Sequence, residues 1–133
     1  MGMGTKEERE ALRVKVSPLR PIKVEFELVG DPLGYYSASA NDISVGGVGI
    51  LWTPPRGLGR GPRLVKGTID LPDIGPVPFE GQIQWHSHPR VGIAFRRMPI
   101  RIQDTIFRFV CRRERETLSC RKGFERSQPN IIG

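Results

Sequence analysis

Six short segments, most of which alternate between apolar and polar residues, constrain the fold of this chain most strongly. In residues 22–28 the apolar side chains share one face of an extended chain, and Lys23, Glu25 and Glu27 share the other. Such alternation is typical of a half-buried β-strand. Five more segments are predicted as strands: 33–40, 45–52, 64–71, 77–87 and 90–95. Six strands with turn residues between them predict a mainly β fold, a small antiparallel barrel or sandwich.

The apolar pattern changes its period after residue 100. Ile102, Ile106, Phe109 and Val110 recur at the spacing of one helix face. We therefore predict a C-terminal α-helix over residues 101–117, with its apolar stripe closing one end of the barrel. The chain is thus divided into a flexible N-terminal arm (1–19), a folded unit (20–117) and a flexible tail (118–133).

Charge and cysteine content restrict the partners and the compartment. The net charge of +7 favours anionic partners, namely nucleic acid, nucleotides, a membrane surface or an acidic protein, and does not choose among them. The two cysteines, Cys111 and Cys120, form neither a disulfide framework nor a metal-ligand spacing, which suits a reducing compartment. The polar first ten residues and the absence of a long apolar run lead us to expect a cytoplasmic protein without a membrane span.

Catalytic motifs are missing from the sequence. A nucleophile elbow, a P-loop and a dinucleotide fingerprint are all absent. His86 and His88 could share a metal, but no cysteine or carboxylate cluster stands near them in sequence, and surface histidines are expected. The sequence therefore favours a binding module rather than an enzyme, with no metal or cofactor.

Polar residues and glycines are concentrated in residues 41–50. Asp42 and Ser44 stand two apart, so both would point to one face of an extended chain. Gly46, Gly47 and Gly49 would let the backbone approach another molecule closely. The stretch could present a carboxylate, a hydroxyl and bare backbone to a small polar ligand, although a polar turn entering a strand would use the same residues.

A second motif precedes this stretch. Arg9 and Arg13 form an R-x-x-x-R arm, and Asp42-Ile-Ser44-Val-Gly-Gly47 matches [D/N]-x-S-x-x-G. Together they resemble the PilZ domain family, which binds the bacterial second messenger cyclic di-GMP. Further similarity lies at residues 71–73, 81–85 and 91–95 and in the amphipathic helix, so the resemblance covers about residues 8–117. It implies a six-stranded antiparallel β-barrel of the split-barrel type with a C-terminal helix.

The resemblance also implies roles for particular residues. Arg9 and Arg13 would clamp guanine and phosphate, because an arginine can place two donors on guanine O6 and N7 or on phosphate oxygens. Asp42 would accept the N1–H and N2–H of a guanine, and Ser44 would hydrogen-bond phosphate or base. The close approach of the backbone would be at Gly47.

Two more residues could contact the ligand, and one departs from the family pattern. Gly46 adjoins the motif, and Trp85 could stack on a base or pack in the core with its neighbours on the strand. Many family members carry another arginine where this chain has Glu8. A carboxylate there would repel phosphate, so we expect one nucleotide per protomer.

The resemblance implies a receptor or adaptor rather than an enzyme. The arm would change conformation on binding cyclic di-GMP and so alter the affinity for an unidentified downstream protein. Motility, biofilm exopolysaccharide and virulence are processes that such a receptor could control. Two alternatives remain: a PilZ-like protein-interaction module that has lost the ligand, and, less favoured, a small basic barrel that binds nucleic acid.

Overall fold

The computed structural model of the chain describes residues 12–30, 34–55, 61–85 and 89–127, and of Trp85 and residues 117–127 it describes the backbone alone. These residues form seven strands and one helix. The elements are β1 (Arg13–Lys15), β2 (Lys23–Leu28), β3 (Tyr35–Ser44), β4 (Gly47–Leu51), β5 (Leu64–Leu71), β6 (Gly75–Trp85), β7 (Arg90–Phe95) and α1 (Ile100–Ser127).

Six strands close into an antiparallel barrel. Their order is β3-β2-β5-β6-β7-β4, and β4 pairs back onto β3. The mainly β class, the six-stranded barrel and the C-terminal helix predicted from the sequence are therefore confirmed. β3 is longer than predicted and includes Asn41–Ser44, with a register shift between Ala40 and Asp42. The predicted polar stretch thus lies on a barrel strand and its tight turn.

The short strand β1 was not predicted. β2 pairs only with the first half of β3, and β1 pairs with the second half in the register Arg13↔Ser44 and Lys15↔Asp42. Val14, the central residue of β1, is buried in the core. Three residues with one buried side chain carry no recognisable alternation, so this part of the expected arm could not be identified as a strand.

The barrel interior holds the apolar face of residues 22–28 that alternation assigned to it. Val24 and Phe26 are fully buried, as are Ile43, Ile50 and Ile69 on other strands. Burial of each such side chain stabilises the fold by about 1.5–3 kcal/mol before the entropic cost is subtracted. The alternation in residues 22–28 therefore predicted both a strand and the face that packs in the barrel interior.

Helix α1 packs its apolar stripe against the barrel core and contacts β1 and β3. It begins after Pro99, whose carbonyl accepts hydrogen bonds from the N–H groups of Ile102 and Gln103 at 3.0 Å. Ile106, Phe109 and Val110 are buried, as the stripe predicted. The helix continues ten residues beyond the predicted end at 117, because the stripe marks only the part that packs on the barrel. The domain limits remain a prediction.

Candidate functional site

A groove of about 480 Å³ lies on the outer face of the barrel where β3, β4, β7 and β6 run side by side. Its walls carry Arg13, Asp42, Gln84 and Arg90. The volume falls within the range typical of small-molecule sites. The rest of the lining is mostly backbone and small residues, including Gly46, Gly47, Gly49, Gly92 and Ala94.

A row of paired residues forms the floor of this groove. Asp42 pairs with Gly49, Gly49 pairs with Gly92, and Gly92 pairs with Gln84. Residues directly opposite one another on neighbouring strands face the same side of a sheet. The row therefore has a carboxylate at one end, an amide at the other and two glycines between them, so that bare peptide groups form the floor.

Arg13 and Asp42 form an ion pair at the β3 end of the groove, between a guanidinium Nη atom and Oδ1. Burial of Val14 and the β1–β3 register hold Arg13 in place on the outer face. Asn41 donates its side-chain N–H to the other carboxylate oxygen at 3.4 Å. The Arg13 side chain is 46% exposed, and its guanidinium has further N–H donors that a ligand could use.

Gly49 makes room for the Asp42 carboxylate. A Cβ atom added at Gly49 would stand 2.8 Å from Oδ1 and 3.2 Å from Oδ2 of Asp42. A side chain at this position would therefore displace the carboxylate from its observed place. This role of Gly49 arises from the pairing of β3 with β4, and no motif of the sequence indicated it.

Ser44 and the following glycines build the turn beneath the groove. Ser44 is fully buried, and its Oγ accepts the N–H of Gly46 at 3.2 Å and donates to the carbonyl of Gly47 at 3.4 Å. A Cβ at Gly47 would lie 2.4 Å from the carbonyl oxygen of Ile93, so this glycine permits close pairing of β4 with β7. In this structure both residues have a structural role, and their contact with a ligand stays a prediction.

Of the other residues that the sequence singled out as candidate ligand or metal contacts, one lines the groove, one is described by its backbone alone and three lie outside the described residues. Gly46 lines the groove, although its carbonyl already accepts the N–H of Phe95 at 2.9 Å. Arg9 lies outside the described residues, as do His86 and His88. The backbone of Trp85 pairs with Val91 beside the groove, and its stacking or core role stays a prediction.

Sequence analysis missed Gln84 and Arg90 as candidate ligand contacts. Gln84 lies in the predicted strand 77–87, but only the register across β7 and β4 brings it into the same row as Asp42. Arg90 precedes the buried Val91 and is exposed, so it faces outward beside the groove. Both residues lie in predicted strands, but the sequence does not reveal the strand order that brings them to one groove.

The charges of the lining side chains favour an anion with hydrogen-bonding groups. Two arginines and one carboxylate line the groove, so its described charged residues sum to a positive charge. Guanidinium groups bind phosphate or the acceptor edge of guanine, and a carboxylate accepts N–H donors. Among the described residues no group of three or more His, Cys, Asp or Glu is placed to hold a metal ion.

The fold is a small closed β-barrel with a groove on its outer face, and comparison of the sequence identifies its family. The sequence profile of the PilZ domain matches residues 6–112, which is most of the chain. The chain belongs to the PilZ domain family, as its motifs predicted. PilZ domains are ligand-binding and adaptor modules and are not typically enzymes. Comparison with curated protein sequences finds no match.

Solved structures of PilZ domains share the fold. The chain is similar to the PilZ domain of CeSA from a cellulose-synthesising bacterium, with a TM-score of 0.60 and 20% identity over 77% of this chain and 97% of that one. The PilZ domain of YcgR from Escherichia coli, solved with cyclic di-GMP, has a TM-score of 0.62 and 17% identity over 83% and 94% of the two chains.

A third similar structure is larger than this chain. The Bacillus subtilis inhibitor of motility MotI/DgrA has a TM-score of 0.59 and 13% identity, over 86% of this chain and 57% of that one.

Over the described residues, the structure contains no helix that is long and apolar enough to cross a membrane.

Proposed function

We propose that this protein binds cyclic di-GMP in the groove and signals the bound state to a downstream protein. The observation that carries the proposal is the Arg13–Asp42 pair on the wall of a groove with a glycine floor. The PilZ family membership supports it, since PilZ domains include the cyclic di-GMP-bound domain of YcgR.

The pair offers complementary groups to guanine. A carboxylate has about four lone-pair positions, so Asp42 can keep Arg13 as a partner while accepting the N1–H and N2–H of a base. Arg13 has five N–H donors and uses one toward Asp42, which leaves others for guanine O6 and N7 or for a phosphate oxygen. The two side chains thus present acceptors and donors side by side at the edge of the groove.

The arm supplies the proposed signal. Arg13–Lys15 are paired with β3, so we infer that the change on binding concerns the residues before Leu12, including Arg9. We infer that these residues close over the groove when Arg9 contacts the nucleotide. Hydrogen exchange should then slow in residues 8–12 on binding, while Arg13–Lys15 should be protected with and without nucleotide.

Calorimetric titration with cyclic di-GMP tests the binding proposal. We expect Arg13→Ala and Asp42→Ala each to weaken binding at least tenfold, because each removes hydrogen bonds to a charged group worth about 1.5–3 kcal/mol. Arg20→Ala is the matched control, since it breaks the exposed ion pair between Arg20 and Glu116 away from the groove. The same titration counts nucleotides per protomer, for which Glu8 predicts one.

Absence of binding by the wild-type protein would refute the proposal and favour a PilZ module that contacts only proteins. Wild-type affinity in both groove variants would refute this placement of the site. Nucleic acid is the less favoured ligand, because the described residues present one exposed aromatic side chain, Tyr35, rather than a stacking surface. We further propose a cytoplasmic role in motility or biofilm regulation, through a partner still to be identified.

A further inference from the structure

We infer that Arg90 and Gln84 form a second recognition arm of the groove, which binds the other half of the dinucleotide. This inference rests on the proposed function. Arg90 would contact a phosphate, and Gln84 would read the edge of the second base. The two side chains lie on β7 and β6, across the groove from Arg13 and Asp42.

The distance across the floor separates the two arms. From β3 to β6 the row crosses three strand spacings, which is roughly 14 Å at about 4.8 Å each. One guanine and one phosphate bound by Arg13 and Asp42 would occupy only one end of such a groove. Because cyclic di-GMP has two guanines and two phosphates, its second half would extend toward the β6 and β7 end, where Gln84 and Arg90 line the groove.

Glycines keep the path between the arms open. Gly49 and Gly92 lie next to each other in the row and carry no side chain that could rise from the floor. The ligand can therefore lie against peptide groups over the middle of the groove. Larger residues at these two positions would divide the groove into two separate halves.

Arg90 contributes charge that Arg13 does not. The Arg13 guanidinium is already paired with Asp42, whereas no ion pair or hydrogen bond engages the Arg90 side chain within the described part of the chain. Asp42 is also the single acidic residue of the described groove lining. Arg90 is thus the uncompensated cation of the site, and a phosphate is the group that it would neutralise.

Gln84 supplies both kinds of hydrogen-bonding group. Its amide carries two donors and an acceptor, so it can match the edge of a base in a way that an arginine cannot. The side chain is exposed and has no hydrogen bond to another described residue. It is therefore available to a base without the loss of an existing contact.

Titration of Arg90 variants with cyclic di-GMP tests the phosphate contact. We expect Arg90→Ala to weaken binding at least tenfold and Arg90→Lys to weaken it less, because lysine keeps the charge but lacks the planar pair of donors. Arg101→Ala, which removes an exposed arginine on α1, is the control and should bind like the wild type. Wild-type affinity in Arg90→Ala, while Arg13→Ala loses binding, would overturn this assignment and leave the proposed function intact.

A ligand with one base exchanged tests the base contact. Cyclic GMP–AMP keeps one guanine and replaces the other, so the wild type should bind cyclic di-GMP more tightly, and Gln84→Ala should reduce this ratio several-fold. Gln82→Ala is the control, two residues away on the same strand and outside the groove lining. An unchanged ratio in Gln84→Ala would overturn the assignment. If the wild type bound neither ligand, the proposed function and this inference would fall together.

Discussion

Gly49→Ala should weaken ligand binding while it leaves the stability of the fold nearly unchanged. The added Cβ would lie 2.8 Å from Oδ1 of Asp42, which is 0.6 Å short of the 3.4 Å at which ordinary contact begins. The atom that must yield belongs to the end of a side chain that is 21% exposed, so the Asp42 carboxylate can rotate away. Rotation would break the ion pair with Arg13 and remove the acceptors proposed for guanine.

The expected energies can be estimated from this geometry. Loss of a partly exposed ion pair costs about 0–1 kcal/mol. Replacement of a glycine by alanine returns about 0.4–1 kcal/mol through the unfolded chain. Stability should therefore stay within about 1 kcal/mol of the wild type, or roughly 4 °C in Tm for a chain of this size. Binding of cyclic di-GMP should weaken at least tenfold, as in Asp42→Ala.

Gly47→Ala is the matched control on the same strand. Its Cβ would lie 2.4 Å from the carbonyl oxygen of Ile93, which is backbone and cannot rotate away. Strands β4 and β7 would have to separate locally, at a cost of about 1–3 kcal/mol or more. Thermal melting and calorimetry on both variants give the comparison. Wild-type affinity in Gly49→Ala, or a fall in Tm as large as that of Gly47→Ala, would refute the reasoning.

Two further predictions concern Ser44 and Tyr35. Ser44→Ala should destabilise the protein by about 1–3 kcal/mol in urea denaturation, because it leaves the N–H of Gly46 without its Oγ acceptor; an unchanged midpoint would show that water replaces the hydroxyl. The pKa of Tyr35 is raised, chiefly because its hydroxyl donates to Glu25 at 3.0 Å, with the charges of Glu25 and Glu27 adding to the effect. The stability that the protonated Tyr35 hydroxyl contributes is therefore complete below the pKa of the unfolded chain. It is lost as the pH rises through the higher pKa of the folded protein. In an ultraviolet difference titration, with Tyr35→Phe used to assign the signal, Glu25→Gln should lower this pKa, and an unmoved titration would contradict the hydrogen bond's role.

Much of the fold could be read from the sequence because it depends on local periodicity. Strands β2 and β6 and helix α1 each bury one face. Each therefore places apolar residues at regular intervals along its own sequence, and this period can be recognised. Strand β1 escaped detection, since one buried residue, Val14, cannot form a pattern. The end of α1 was placed too early for the opposite reason, because backbone hydrogen bonding continues where the apolar stripe does not.

The candidate site likewise has features that local sequence reveals and features that depend on tertiary structure. By itself the sequence determined the mainly β class, the family motifs and the position of Asp42 near a glycine-rich turn, because these follow from neighbouring residues. Only the tertiary structure decided that Ser44 is buried under the turn and that Gly49 accommodates the Asp42 carboxylate. It also brought Gln84 and Arg90 to the same groove, since strand order and register join residues that lie more than forty positions apart from Asp42 in the chain.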